Sequence, residues 1–125
     1  MPHYDATLSP PAPFIDVVVI HPTDDNRSTQ LRGKLDTGAD LSAIPSSLMI
    51  ELNLLARGTV TGRDYKGETT IHAAYGVSLE IAGVRLDNVK VVATPRASVL
   101  LGRNVLNKFI ITLDGKALTF EMQDP

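Results

Sequence analysis

The sequence predicts a single, mainly β domain, and three observations lead to this prediction. The 125 residues, 43% hydrophobic and 21% charged, have the length and apolar content for one core. Val, Ile, Leu and Thr are frequent, whereas Trp is absent and aromatic residues make up only 5%, a balance typical of short strands. The nine Gly and eight Pro suit the turns between such strands. We therefore expect hairpins rather than a helical bundle.

Residues 1–13 are expected to form a flexible leader in front of the domain, which would span residues 14–125. The run Ser9-Pro10-Pro11-Ala12-Pro13 has few N–H groups for a strand or helix ladder. The chain does not open on a basic stretch followed by an apolar one, and no later segment approaches the roughly 18 apolar residues that cross a bilayer. The sequence therefore predicts a cytoplasmic protein with no membrane partner.

The first two strands are predicted at residues 14–21 and 29–35, because both stretches are rich in apolar residues and are separated by polar ones. Residues 23–28 between them are predicted to form a polar turn. The second strand leads directly into Asp36, so this acid would lie just past the end of a strand.

A short helix is predicted after this point. Ile44-Pro45-Ser46-Ser47 resembles a helix start, since Pro is well suited to the first helical turn. Leu48, Leu52 and Leu55 have the spacing of one helical face, which would pack on the core. Asn53 could end this helix in the left-handed conformation.

The rest of the chain is predicted to be hairpins with one further helix. Gly-containing turn sequences separate the predicted strands, and an apolar run before the last hairpin predicts a buried strand. The paired strands are 59–65 and 68–75 around Lys66-Gly67, 77–81 and 84–92 around Ala82-Gly83, and 110–113 and 117–121 around Asp114-Gly115; the buried strand is Val99-Leu100-Leu101, and the helix is 103–109.

Two short motifs carry the candidate chemistry. Asp36-Thr37-Gly38-Ala39-Asp40 places a carboxylate at a strand end, beside a hydroxyl and a glycine that lets the backbone bend. Taken alone, an ordinary Asx-type turn explains this motif equally well. The second motif, Leu100-Leu101-Gly102-Arg103-Asn104, is an apolar strand that breaks at Gly-Arg. The two motifs together are much more specific than either one.

With these two motifs in this order, the chain resembles the retropepsins, the single-domain aspartic peptidases of retroviruses with cellular and bacterial relatives. The resemblance covers about residues 14–120. Ile44-Pro45 with its helix, and the hairpin at Leu113-Asp114-Gly115, look closer to the cellular and bacterial relatives than to the viral enzymes. The resemblance implies a closed β-barrel of hairpins with one or two short helices, acting as a two-fold symmetric homodimer.

The resemblance also implies roles for ten residues. Three residues would form the catalytic loop. Five would contact the substrate, and three of these five would lie at the tip of a mobile hairpin called the flap. Two would support the site, and the supporting arginine would pair with Asp40. The catalytic residues would be Asp36, Thr37 and Gly38; the substrate contacts Ala39, Asp40, Tyr65, Lys66 and Gly67; and the supporting residues Gly102 and Arg103.

The chemistry demands a second acid. Amide hydrolysis by this route needs one carboxylate to take a proton from water while another, protonated, donates one to the carbonyl oxygen. The chain has one Asp-Thr-Gly, and Asp114-Gly115 lacks the Thr. We therefore expect an aspartic endopeptidase that uses Asp36 from each of two subunits, held together mainly by residues 110–122, with apolar residues flanking the cut bond.

Other functions are either excluded or remain as alternatives. The formal charge of −2, without a Lys/Arg cluster, argues against nucleic acid as a partner. With no Cys, and His at positions 3, 21 and 72 without ligand spacing, we expect neither a metal nor a cofactor. One alternative is a catalytically silent dimer of the same fold that binds extended peptides; another is a monomeric β domain in which the motifs coincide by chance.

Overall fold

The structure is a computed structural model that describes residues 2–63 and 66–124. Strands make up most of this part of the chain, and both helices are a single turn long. The strands are β1 (Tyr4–Asp5), β2 (Ala12–His21), β3 (Asp24–Leu35), β4 (Ser42–Pro45), β5 (Thr59–Arg63), β6 (Thr69–Ile81), β7 (Val84–Thr94), β8 (Val99–Leu101), β9 (Ile110–Asp114) and β10 (Thr119–Gln123), and the helices are α1 (Leu48–Glu51) and α2 (Arg103–Leu106).

Six strands close into a barrel. Their order is β2-β3-β8-β4-β7-β6, and a second pairing between β2 and β6 closes the ring. β1 extends the sheet at β2, β5 extends it at β6, and β9 and β10 form a separate two-stranded sheet. The predicted mainly β fold, a closed barrel of hairpins with two short helices, is confirmed.

The barrel interior is filled by aliphatic side chains. Val17 and Val19 on β2 and Leu79 on β6 are completely buried, as expected where alternate residues of a strand point inward. Leu101 joins them from β8, and Phe120 from the terminal hairpin is also fully buried in the same cluster. The short sheet of β9 and β10 therefore shares the barrel's core.

The polar turn predicted at residues 23–28 is wrong for most of its length. β3 already begins at Asp24, which pairs with His21, and Ser28 pairs with Ile20. These polar residues form a strand because the end of the β2–β3 hairpin projects into solvent, where side chains on both faces can stay exposed. The side chain of Asp24 also caps the start by accepting the N–H of Asn26 at 3.0 Å.

The helix after residue 44 is shorter than predicted, and one of its predicted core residues is misplaced. Leu48 and Leu52 are buried, but Leu55 is 77% exposed. Asn53 adopts a left-handed conformation with φ 56°, as predicted, so the helical spacing does not continue to position 55. Residues Ser42–Pro45 were not predicted as a strand, yet β4 lies between β7 and β8 in the barrel.

The predicted hairpin around Ala82-Gly83 is confirmed. The strands predicted at residues 68–75 and 77–81, however, form one continuous strand. Both turn residues have positive φ, 51° and 77°, which suits a tight two-residue connection between twisted strands. β6 runs without a break from Thr69 to Ile81 because Gly76 continues the ladder by pairing with Lys90.

The start of the chain pairs with its end. β2 begins at Ala12, two residues before the predicted domain boundary, and Tyr4 pairs with Pro13. The N–H of Tyr4 donates to the carbonyl of Leu118 at 2.7 Å, and the N–H of Phe120 donates to that of Pro2 at 3.0 Å. Residues 2–5 thus join β2 to the terminal hairpin. Among the described residues, no helix is long and apolar enough to cross a membrane.

Candidate active site

Asp36 lies at the point where β3 leaves the barrel. Its N–H donates to the carbonyl of Leu101 at 2.9 Å, which extends the β3–β8 ladder by one residue. The chain then turns, and the N–H of Gly38 donates to the Asp36 carboxylate oxygen Oδ1 at 2.9 Å. The Asx-type turn considered as the alternative is therefore present. It fixes the half-buried carboxylate at a defined place on the loop.

Gly102 is a glycine because the loop after Asp36 passes directly over it. A Cβ at position 102 would lie 2.5 Å from the carbonyl oxygen of Leu41 and 3.0 Å from that of Ala39. The next residue, Arg103, uses its backbone N–H to bond the Ala39 carbonyl at 2.9 Å. The second motif thus supports the first through close contact of two backbones.

Arg103 binds the same loop with its side chain. One guanidinium nitrogen donates to the Thr37 carbonyl at 2.7 Å, and another forms an ion pair with the Asp40 carboxylate. The structure therefore brings together Asp40 and Arg103, the pair that the resemblance implied. Because the guanidinium is a rigid planar donor, it fixes both ends of the Asp36 loop at once.

Two polar residues with no role predicted from the sequence complete the support: Ser42, which is buried, and Asn104, which is half-buried. The backbone N–H and the hydroxyl of Ser42 both donate to Asn104 Oδ1 at 2.9 Å, and the hydroxyl oxygen accepts the N–H of Gly102 at 3.0 Å. Asn104 in turn donates to the carbonyl of Lys90 on β7 at 2.9 Å. Ser42 is completely buried in the structure. In the sequence, the signal that could have identified this network was a serine at the start of an apolar run.

The strand pairings define which side chains share the side of the sheet on which Asp36 lies. Leu35 points into the core with its partner Leu101, so the residues on either side of Leu35 point the other way. The row on that other side can be followed from strand to strand through paired residues. We call it the Asp36 face; its row consists of Lys34, Leu100, Ala43, Val92 and Ala74.

The Asp36 face continues into the β5–β6 hairpin, where three substrate contacts were predicted. Thr70 and His72 are on the same side of β6 as Ala74, and the Thr70 hydroxyl lies 2.9 Å from His72 Nε2. Lys66 and Gly67 are exposed at the hairpin end, with Gly67 at φ 79°. Tyr65 lies outside the described residues. Lys66 and Gly67 therefore belong to a different element from the loop of Thr37, Gly38 and Ala39.

An apolar depression lies beside the Asp36 loop on the side of the chain termini. It encloses about 300 Å³ and is lined by Thr37 together with Tyr4, Leu106, Ile111 and Leu113. Leu113 is 52% exposed although it is a large hydrophobic residue. Exposed apolar area of this kind next to a polar loop is typical of a surface that contacts another protein.

Comparison with known proteins gives a family and a fold. The sequence pattern of the family described as aspartyl protease matches residues 24–105. A retropepsin-like aspartic protease from Rickettsia conorii is 21% identical, with a TM-score of 0.64 over 90% of this chain and 83% of that one. The simian foamy virus protease is 15% identical, with a TM-score of 0.57 over 75% of this chain and 91% of that one.

A second viral structure agrees. The EIAV protease complexed with the inhibitor HBY-793 is 20% identical, with a TM-score of 0.54 over 77% of this chain and 86% of that one. No curated protein sequence gives a significant match. These likenesses establish a retropepsin-like fold, and the bacterial structure matches with a higher TM-score and over more of this chain than the two viral ones, as the sequence predicted.

Proposed function

The chain belongs to the aspartyl protease family, and we propose that it is an aspartic endopeptidase in which two Asp36 carboxylates, one from each subunit of a homodimer, activate a water molecule. The observation that carries the proposal is the fixed Asp36 carboxylate at the end of β3, held by the Gly38 N–H. Asp40, the other acid of this loop, is engaged with Arg103 and so is not a suitable second acid. A symmetry-related Asp36 supplies it.

The mechanism follows from two acids in contact. Two carboxylates at such short distance cannot both ionise without a large cost, so the pair holds one proton in mildly acidic solution; aspartic proteases are the standard example of this effect. The ionised Asp36 takes a proton from water, which attacks the amide carbon, while the protonated Asp36 donates its proton to the carbonyl oxygen. The proton taken from water then passes to the amide nitrogen as the C–N bond breaks, and one hydroxyl of the tetrahedral intermediate returns a proton to the other Asp36 as the carboxylic acid product forms.

The subunit contact is proposed to lie on the side of the terminal hairpin. The apolar depression beside Thr37 and the exposed Leu113 face outward there. A two-fold contact on this surface would bury these side chains and bring the two Asp36 loops together. The exposed Thr37 would then contact the opposite subunit.

The β5–β6 hairpin is proposed to act as the flap. Among the described residues β5 pairs only with β6, so the hairpin extends beyond the barrel. Its inner side continues the Asp36 face through Thr70 and His72. A hairpin that closes over an extended peptide would exclude water from the site and add backbone hydrogen bonds. Lys66 and Gly67 would then contact the substrate, together with Tyr65 as the sequence predicts.

The test compares Asp36→Asn with Asp114→Asn. Asp114 is an exposed acid in the β9–β10 turn, so its amide variant is a matched control. Cleavage of a mixture of proteome-derived peptides at pH 4–7 is followed by mass spectrometry. We expect Asp36→Asn to lose about 10³-fold or more of the activity and Asp114→Asn to retain it. Equal cleavage by both variants contradicts the assignment, and bound but uncut peptides favour the catalytically silent dimer.

A further inference from the structure

Lys34 is the one charged residue in the row of side chains on the Asp36 face. It stands two positions before Asp36, and Leu35 between them points into the core. Asp36 still continues the ladder with β8, so the strand alternation holds up to it. Lys34 and Asp36 therefore point to the same side, with Cα atoms about 7 Å apart at roughly 3.3 Å per residue.

The residues paired with Lys34 on the neighbouring strands are apolar. Its paired residues are Leu100 on β8 and Phe14 on β2, and the row continues from Leu100 through Ala43 and Val92. Lys34 itself is half-buried. Within residues 2–63 and 66–124 it takes part in no ion pair. A cation that is partly removed from water and unpaired gains free energy when a ligand brings a carboxylate to it.

Arg32, the other cation on this side of β3, does form an ion pair within the chain. Arg32 lies two residues farther from Asp36 along β3. Its guanidinium is 3.7 Å from the Asp5 carboxylate and 5.2 Å from the centre of the Phe14 ring. Arg32, which is farther from Asp36, therefore already has an acidic partner. Lys34, which is next to Asp36 on this face, has no such partner among the described residues.

We propose that Lys34 makes this protease select peptides with Asp or Glu next to the cut bond. The inference rests on the proposed function, because it takes the Asp36 face as the wall of the peptide groove. A side chain next to the cut bond would lie over the row that begins at Lys34. In the dimer, the two-fold axis places a second Lys34 on the other side of the bond, so an acidic residue is favoured on either side. The apolar flanking residues expected from the sequence would be disfavoured there.

The experiment uses matched peptides. The best-cleaved sequences from the proteome-derived mixture are synthesised with Glu or Gln at the residue flanking the cut bond, and kcat/KM is measured at pH 6, where a free Glu side chain is ionised. We expect the wild-type protein to prefer the Glu peptide by about tenfold. Lys34→Met should bring this ratio to about one, Lys34→Glu should invert it, and Lys34→Arg should retain it.

Arg27→Met is the matched control. It removes the same charge from the same strand nine residues before Asp36, about 30 Å away along an extended strand. Arg27 is exposed and pairs only locally with Asp24. Its variant should keep the wild-type preference. Thermal unfolding of each variant shows that a changed ratio does not come from a damaged fold.

The outcomes separate this inference from the proposed function. Cleavage of the Glu and Gln peptides at equal rates, or a preference that persists in Lys34→Met, overturns the role of Lys34 and leaves the protease intact. If the wild-type protein cleaves nothing, the protease proposal fails, and binding of Asp36→Asn to a peptide array with single Glu or Gln residues decides the inference. Equal binding of both kinds of peptide, or no binding, overturns it.

Discussion

The side chain of Asn104 binds Ser42 twice, accepting both its backbone N–H and its hydroxyl at 2.9 Å. Ser42 follows the Asp36 loop, and Asn104 follows the Gly-Arg pair of the second motif. The hydroxyl of Ser42 also satisfies the N–H of Gly102. The two motifs are therefore joined by buried hydrogen bonds as well as by the exposed Arg103–Asp40 ion pair.

Ser42→Ala should lower the free energy of unfolding by about 1–3 kcal/mol, because it leaves the buried N–H of Gly102 without a partner. Chemical denaturation monitored by circular dichroism measures this change. Ser46→Ala is the control, since Ser46 is exposed and should change stability by less than about 0.5 kcal/mol. Equal effects of the two variants would show that the buried network does not stabilise the site.

Gly102→Ala should destabilise the fold by about 1–3 kcal/mol or more, because the new methyl group would overlap the Leu41 backbone at 2.5 Å. Backbone cannot rotate away as a flexible side chain can. Gly115→Ala is the matched control, since among the described residues no heavy atom beyond those of its two chain neighbours lies within 4 Å of its Cβ position. Both free energies come from denaturant titrations, and a stable, active Gly102→Ala protein would contradict the close approach of the two motifs.

Arg103→Lys should reduce kcat by about 10- to 100-fold while stability changes by less than about 1 kcal/mol. A lysine cannot hold the Thr37 carbonyl and the Asp40 carboxylate together as a planar guanidinium does. The ion pair is largely exposed, so its loss costs little folding energy. Arg27→Lys, at a comparable exposed pair with Asp24, should leave kcat unchanged. A stability loss without a change in kcat would make Arg103 purely structural.

Leu113→Glu should shift the protein from dimer to monomer, because two negative charges and their hydration would meet across a proposed two-fold contact. Ile50→Glu is the control: Ile50 is 89% exposed on α1, away from the terminal hairpin. Sedimentation velocity over a range of concentrations measures the equilibrium. The activity of Leu113→Glu should fall with its dimer fraction, and an unchanged dimer would place the subunit contact elsewhere.

Asp87 should make stability depend on acid pH. Hydrogen bonds from the Ser78 hydroxyl, at 2.7 Å, and from Arg85 hold the pKa of Asp87 below its ordinary value of 3.8. A depressed pKa in the folded state means that this stabilisation is present above pH 3.8 and is lost as the pH falls through the folded value. The difference in Tm between wild type and Asp87→Ala should therefore shrink from pH 6 to pH 2.5. A constant difference would contradict this linkage.

The sequence predicted the features that depend on local residue types and missed those that depend on strand register. Asp36 at a strand end and the turn at Ala82-Gly83 are local, and both were found. The pairing of Ser42 with Asn104 could not be predicted, because it depends on how β4 fits between β7 and β8. The apolar neighbours of Lys34 need the same information, since Leu100 and Ala43 come from strands far from β3 in the chain.

The parallel pairing of β3 with β8 has a consequence for the order of events during folding. Gly33 pairs with Val99, and a contact between positions so distant must wait for a long loop to close. During synthesis, Asp36 leaves the ribosome well before Leu101 and Arg103, the residues that hold its loop. In a nascent chain, the support of the Asp36 loop can therefore form only after residues 99–103 have emerged and β8 has paired with β3.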